Sequence, residues 1–178
     1  MIRKCSEAEV DVIFETINDA AQAYKGVIPE DRWHEPYMSH AELRQELQDG
    51  IVFWGIFENQ GMIGVMGMQD KGDVALIRHA YIRTDRRNEG IGSHLLQFLE
   101  STTEKPILVG TWADATWAIA FYRKNGYHLL AEKEKNQLLR KYWRISERQI
   151  ETSVVLAKGS DFRNSHRQGT FDSTTESG

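Results

Sequence analysis

The sequence predicts a mixed α/β fold in a single domain: a mostly antiparallel, twisted sheet flanked by helices. Three runs rich in β-favouring residues lie between Ile51 and Arg83. The turn sequences Glu58-Asn59-Gln60-Gly61 and Asp70-Lys71-Gly72-Asp73 separate them, the pattern of an antiparallel meander. After Gly92, helical periodicity alternates with short apolar runs, which adds strands and helices in turn. A length of 178 residues, 40% hydrophobic and 27% charged, suits one domain with a sizeable core.

Taken in order, residues 1–5 read as a short strand. Ser6 opens a helix, because Glu9 stands at capping-box spacing. Val10, Ile13, Phe14, Ile17, Ala21 and Tyr24 then share one helical face, and Gly26 ends the pattern. A long connection follows, holding Pro29, Trp33, His34, Pro36 and Tyr37. The spacing predicts a second helix after Ser39 to about Gln48, with Leu43 and Leu47 inward. The meander strands span 51–57, 62–68 and 74–83. The next helix carries Leu95, Leu96, Phe98 and Leu99, and 106–112 returns as a strand. Asp114 is placed to cap a helix that runs to Asn125 and stops at Gly126, a residue free to turn left-handed. Residues 127–131 read as a strand, 133–142 as a charged helix and 147–157 as the last strand.

Composition excludes several function classes. The 22 Lys+Arg against 26 Asp+Glu leave a net charge of −4, which argues against a general nucleic-acid-binding surface. A single cysteine, Cys5, excludes an internal disulfide framework and a thiolate zinc cage, so no metal is expected. It fits a reducing compartment. The longest strongly apolar run, 51–57, is far shorter than the roughly 20 residues that span a bilayer. Residues 1–7 lack the apolar stretch of a signal peptide. The expectation is a soluble, cytoplasmic protein with no membrane or nucleic-acid partner. Composition changes near Lys158, and 159–178 is rich in Gly, Ser and Thr with two Phe as its large apolar groups. That divides the chain into a domain, 1–158, and a polar tail, 159–178, expected to be disordered. The alternative is a tail that docks on a partner.

The most informative segment is Ala80-Tyr81-Ile82-Arg83-Thr84-Asp85-Arg86-Arg87-Asn88-Glu89-Gly90-Ile91-Gly92. A strand enters a basic, glycine-containing turn, and a helix leaves it. The first N–H groups of a helix lack internal acceptors, and its dipole adds positive potential there. Glycines remove side chains that would block a bulky anion. Together these features make a pyrophosphate cradle, with Arg83, Arg86 and Arg87 adding charge. The turn is neither a dinucleotide fingerprint, which needs a third glycine, nor a Walker loop, which needs Gly-Lys-Ser/Thr. The competing reading is a plain tight turn with solvated arginines.

In this segment the sequence resembles the GNAT superfamily of acyl-CoA-dependent N-acyltransferases. Their pyrophosphate loop, Gln/Arg-x-x-Gly-x-Gly/Ala, is matched by Arg87-Asn88-Glu89-Gly90-Ile91-Gly92. A second element is similar too: Ala118-Ile119-Ala120-Phe121-Tyr122-Arg123-Lys124-Asn125-Gly126-Tyr127 follows the family's Ala-Ile-x-Phe-Tyr-x-x-x-Gly-Phe/Tyr pattern. The resemblance covers roughly 1–157 and is strongest over 74–130. It implies a GNAT-type sheet and acetyl-CoA as the acyl-donor co-substrate. It further implies that Ala80, Tyr81 and Ile82 lie beside the cofactor, with residues 87–92 on its pyrophosphate. One position departs: where the family often carries a cofactor-contacting Asn before the Ala-Ile pair, this chain has Ala115.

Acyl transfer to an amine needs a proton acceptor, stabilisation of the carbonyl oxygen and a proton donor for the leaving thiolate. By the resemblance, Tyr122 is the candidate acid, because the family's tyrosine at this position often points at the cofactor sulfur. The alternative is core packing. A backbone N–H near Tyr81 or Ile82 is the implied oxyanion donor. His79 is a candidate base or substrate contact, its unperturbed range suiting proton uptake; the alternatives are a strand histidine bonded to a neighbour and a water relay. Strand alternation puts Arg78 and His79 on opposite faces. Cys5, far from both motifs and without an adjacent His, reads as a small buried residue.

In this fold the acceptor cleft is walled by the first helix–helix loop, the splayed strands and the region before the last strand. Those places hold Trp33, His34 and Tyr37, then Trp112, then Tyr142, Trp143 and Arg144. Trp33, His34 and Trp112 are the expected acceptor contacts, and the alternative is that this aromatic group is a hydrophobic cap over the sheet. The leading function is transfer of an acetyl group to an amine of a small-molecule or peptide acceptor. The resemblance also allows a homodimer. A second reading, a catalytically silent acyl-CoA-binding sensor, draws on Ala115 and the polar tail, and Phe121-Tyr122 disfavours it. O-acyl transfer or a longer donor is a third reading.

Overall fold

Seven strands form one open sheet. The structure, a computed structural model, describes residues 1–59 and 61–159, so the expected tail lies outside the described residues except for Gly159. Strands β1 (Ile2–Lys4), β2 (Val52–Glu58), β3 (Gly61–Asp70) and β4 (Ala75–Ile82) run antiparallel in sequence order. Strand β5 (Ile107–Trp112) joins β4 in parallel. Beyond it lie β7 (Ser153–Lys158) and then the short β6 (His128–Leu129), both pairings antiparallel.

Helices α1 (Val10–Ala21) and α2 (His40–Gln48) cover one face of the meander, where Ile13, Ile17, Leu43, Phe53 and Val65 are buried together. On the opposite face, α3 (Ile91–Glu100) sends Leu95, Leu96 and Leu99 onto Met66, Ile77 and Val109. Tyr122 of α4 (Thr116–Lys124) closes that cluster. Leu138 and Leu139 of α5 (Glu132–Tyr142) pack on Leu76, Leu108 and Val155. Burying one such leucine contributes about 1.5–3 kcal/mol. No helix among the described residues is long and apolar enough to cross a membrane.

The expected capping box at Ser6 is present, and the second helix, which starts after Ser39 as expected, also opens with one. Ser6 and Glu9 open a 3₁₀ turn that leads into α1, and Ser39 with Glu42 opens α2. Three local expectations fail. Residues 147–157 do not form one strand: the Ser146 hydroxyl accepts from the Gln149 N–H and starts a short helix, α6 (Glu147–Glu151), before β7. The strand expected over 127–131 is reduced to two residues, His128 and Leu129, paired with β7. Asp114 does not cap α4: Ala115 occupies the cap position, and the Asp114 backbone carbonyl, not its side chain, accepts from the Thr116 N–H.

Two features of β4 shape the site. Its pairing with β5 stops at Ile77↔Val109, while β5 stays paired with β7 as far as Trp112↔Ser153. The two parallel strands therefore splay apart beyond Ile77. The pairing of β4 with β3 also slips, from Gly67↔Arg78 to Val65↔Tyr81, so three steps along β4 oppose two along β3. This bulge is where His79 takes a positive φ of 56°.

Candidate active site

The splay opens a cleft of about 600 Å³ between β4 and β5. At one end the chain leaves β4, makes a 3₁₀ turn over Thr84–Arg86 and enters α3. Asn88 and Gly90 both lie in the left-handed region, at φ 65° and 77°. This path leaves the N–H groups of residues 88–93 without a protein acceptor among the described residues. A Cβ on Gly90 would meet nothing within 4 Å, so its role is torsional. Gly92 is a packing glycine: a Cβ there would stand 3.3 Å from the Phe121 ring.

The three arginines of the turn are not equivalent. The Arg86 guanidinium is held by Glu58 at 2.9 Å and Glu89 at 2.7 Å. Arg83 donates through Nε to the Met62 carbonyl at 2.8 Å. Arg87 has no ion-pair partner among the described residues and lines the cleft with Asn88, Gly90, Ile91 and Gly92. Glu89 turns to Arg86 and does not line it.

Tyr122 lines the middle of the cleft and is only 5% exposed. Its ring lies 5.0 Å from Phe121 and 5.6 Å from Tyr127. Burial, with the nearby Tyr24 phenol, pushes its pKa well above the ordinary phenol range, so it stays protonated. Ala80, Tyr81 and Ile82 form the β4 edge of the cleft. The Arg83 N–H donates to the Ile63 carbonyl on β3. Alternation therefore turns the Ile82 N–H to the other edge of β4, the one β5 has left.

His79 and Arg78 both line the cleft, and the expectation of opposite faces is corrected here. The bulge breaks alternation, and both side chains reach Glu46 of α2. His79 Nε2 stands 3.3 Å from Glu46 Oε2, and Arg78 Nη2 stands 3.5 Å from Oε1. Burial acts to raise the Glu46 carboxyl, but His79 and Arg78 outweigh it and hold it below the usual carboxylate range.

The other end of the cleft is aromatic. Tyr24, Tyr37, Trp112, Trp117 and Trp143 line it. Tyr24 packs 5.2 Å from Trp117, and the Trp112 Nε1–H donates to the Tyr37 hydroxyl at 3.4 Å. Burial and the Tyr37 phenol push the Tyr24 hydroxyl up to about 12. Of the expected acceptor contacts, Trp112 lines the cleft, whereas Trp33 and His34 do not. Trp33 stacks on Tyr37 at 5.8 Å, and His34 Nδ1 meets the Pro36 carbonyl at 2.8 Å. The loop carrying them is tied to α6 instead, through Asp31 to Arg148 at 3.2 Å and Arg32 to Ser146.

Sequence reasoning missed Tyr24 and Glu46. Tyr24 sits on the apolar stripe of the first helix, which marks core and cleft alike, and no local signal distinguishes Glu46 from a solvated helix residue. Among the described residues no Asp or Glu lines the cleft, whereas Arg78, Arg86, Arg87 and Lys124 do. Cys5 lies off the cleft, and burial pushes its thiol up to about 12, which leaves it a poor nucleophile. Buried Ala115 offers no polar side chain.

Residues 49–129 match the family described as acetyltransferase (GNAT) domain. No curated protein matches the sequence. Among solved structures, the chain is similar in fold to PaiA N-acetyltransferase from Thermoplasma acidophilum in complex with coenzyme A. That match has 20% identity and a TM-score of 0.67 and covers 89% of this chain and 97% of that one. It is also similar to ribosomal-protein-S18-alanine N-acetyltransferase from Escherichia coli, at 15% identity and a TM-score of 0.61, covering 91% and 97%. A third is a GNAT family acetyltransferase from Elizabethkingia anophelis with acetyl-CoA bound, at 17% identity and a TM-score of 0.58, covering 88% and 95%.

Proposed function

The chain belongs to the GNAT acetyltransferase superfamily, and on that premise we propose that it transfers an acetyl group from acetyl-CoA to an amine of a small-molecule or peptide acceptor. Both substrates are bound together, and the amine attacks directly. The observation that carries this reading is the meeting, in one cleft, of an anion cradle and a buried proton donor. The cradle is the set of partnerless N–H groups over residues 88–93, and the donor is Tyr122. Residues 87–92 would hold the pyrophosphate through these N–H groups and the uncommitted Arg87. Ala80, Tyr81 and Ile82 would edge the remainder of the donor.

Acetyl-CoA, when bound, supplies an activated acyl carbon and a thiolate leaving group. The chain supplies the rest. Tyr122, kept protonated by burial, donates a proton to the departing sulfur. The Ile82 N–H, on the open edge of β4, donates to the carbonyl oxygen as charge develops there. His79, directly or through a water, takes the proton lost by the amine. Trp112 and the aromatic end of the cleft hold the acceptor body, and Trp33 supports that wall through Tyr37. Holding both reactants in one cleft contributes several kcal/mol by itself, out of the roughly 7–11 kcal/mol available to ideal positioning.

The test is calorimetric binding of acetyl-CoA, followed by free-thiol release and mass spectrometry over a panel of amines. An acetylated amine supports the proposal. Binding with no acetylated product across the panel favours the silent sensor, and absence of binding removes both.

A further inference from the structure

Resting on the acyl-transfer reading, we propose that Glu46 is the positioning residue for His79. Its carboxylate holds the Nε2–H tautomer, leaving the Nδ1 lone pair to take the proton of the acceptor amine.

The argument begins in the backbone. His79 adopts φ 56°, and such a conformation costs a non-glycine residue roughly 1–2 kcal/mol. The surrounding sheet imposes it. Gly67, opposite the bulge, has the Arg78 carbonyl 2.8 Å from where its Cβ would be, so β3 and β4 approach unusually closely there. The bulge brings the His79 ring to the same side as Arg78, against α2.

Geometry then pairs the ring with a single acceptor. His79 Nε2 and Glu46 Oε2 lie 3.3 Å apart, a close contact without full hydrogen-bond geometry. Both atoms are shut off from solvent, and neither has another partner. His79 Nδ1 does not share that isolation, and the residue lines the cleft. Phe53 stands 6.1 Å from the ring at 28°, limiting its rotation. The charged groups that meet around His79 are Glu46 from α2 and Arg78 from its own strand, and the phenols of Tyr24, Tyr37 and Tyr81 line the same cleft. Neighbouring Phe53, Met66 and Gly67 bring no charge. Arg78 stands at the other carboxylate oxygen, Oε1, and so leaves Oε2 to orient the imidazole.

The tautomer is read directly by ¹⁵N-histidine NMR on the full chain, with no acceptor present. Above the midpoint of its titration, wild-type His79 is expected as the Nε2–H form, and an Nδ1–H form overturns the proposal. In Glu46→Gln, acetyl-CoA affinity should be unchanged and kcat should fall about tenfold or more. The acid limb of kcat/KM should move to lower pH, because the imidazolium loses its anionic neighbour. A limb that stays in place, with His79 still Nε2–H in the folded variant, overturns it. If no amine is acetylated, the acyl-transfer reading fails by itself and the tautomer measurement still decides the role of Glu46. If Glu46→Gln does not fold, the wild-type spectrum carries the test alone.

Discussion

Gly92 and Phe121 fit together because the glycine has no side chain: a Cβ would stand 3.3 Å from the edge of the ring. This contact seats the start of α3, which carries the proposed anion cradle, on α4, which carries Tyr122. Asn125 fastens the same pair of helices, its side-chain N–H donating to the Ser93 hydroxyl at 3.2 Å. The two motifs, separated by a strand in sequence, are neighbours in space.

Substitutions at the two glycines should therefore fail differently. Gly90→Ala must hold φ 77°, a strain of about 1–2 kcal/mol, but meets no neighbour, so it should weaken CoA binding with only a modest loss of stability. Gly92→Val drives a branch into Phe121 and should lower both CoA affinity and the thermal midpoint. Calorimetry and thermal melting of the two variants separate the effects. Equal CoA affinity in folded Gly90→Ala and wild type would remove the cradle from the proposal.

Arg87 and Arg86 offer a second contrast. Arg87→Ala removes an uncommitted cation from the cleft, and a lost charge-assisted contact of about 1.5–3 kcal/mol corresponds to roughly a 10- to 150-fold weaker Kd for CoA. The thermal midpoint should not move. Arg86→Ala instead releases Glu58 and Glu89 and should act on the loop's stability more than on affinity at high salt. An Arg87→Ala chain that binds CoA as tightly as wild type contradicts this assignment.

Tyr122→Phe removes one oxygen from a buried site and little volume. If the phenol protonates the leaving thiolate, CoA binding should hold while kcat falls about 10²- to 10⁴-fold. A purely structural phenol predicts the reverse, a lower thermal midpoint with turnover per folded molecule preserved. Measuring kcat and the thermal midpoint on one preparation distinguishes the two. A kcat within about threefold of wild type, with chemistry shown to be rate-limiting, assigns the proton to water.

Acid sensitivity should include the Arg3–Glu9 pair that ties β1 to the approach of α1. The hydrogen-bonded Arg3 guanidinium, 2.7 Å away, holds the Glu9 carboxyl down at about 2. A depressed folded value contributes stability above the unfolded carboxylate range, near pH 4.3, that is lost as pH falls toward 2. Because Arg3 is exposed, solvent screening keeps the contribution small. Arg3→Ala should shrink the difference in thermal midpoint between pH 5 and pH 2.5, and an unchanged difference assigns the acid response to other groups.

Much of this architecture could be read locally. The Ser39–Glu42 capping box opens α2 because its partners lie within one turn. The meander follows from β-favouring runs and short turns. Gly126 takes a left-handed φ of 90° because the helix must stop there. Where local signals were thin, the reading failed. Ser146 starts a helix that strand-like residues further on conceal, and Trp33 and His34 belong to a loop whose docking on α6 depends on Asp31 and Arg32 finding partners more than a hundred residues away.

The sequence by itself determined where the chain turns, which faces are apolar and where a glycine-containing turn leads into a helix start, since these depend on neighbours within a few residues. Only the tertiary structure decided that Arg87, and not Arg83 or Arg86, is uncommitted, that β4 and β5 splay beyond Ile77, and that His79 shares Glu46 with Arg78. Each depends on a remote partner: Glu58 for Arg86, β7 for the end of β5, and β3 for the bulge. A period-two pattern carries no mark of a one-residue slip in register, yet that slip moves every later side chain to the other face.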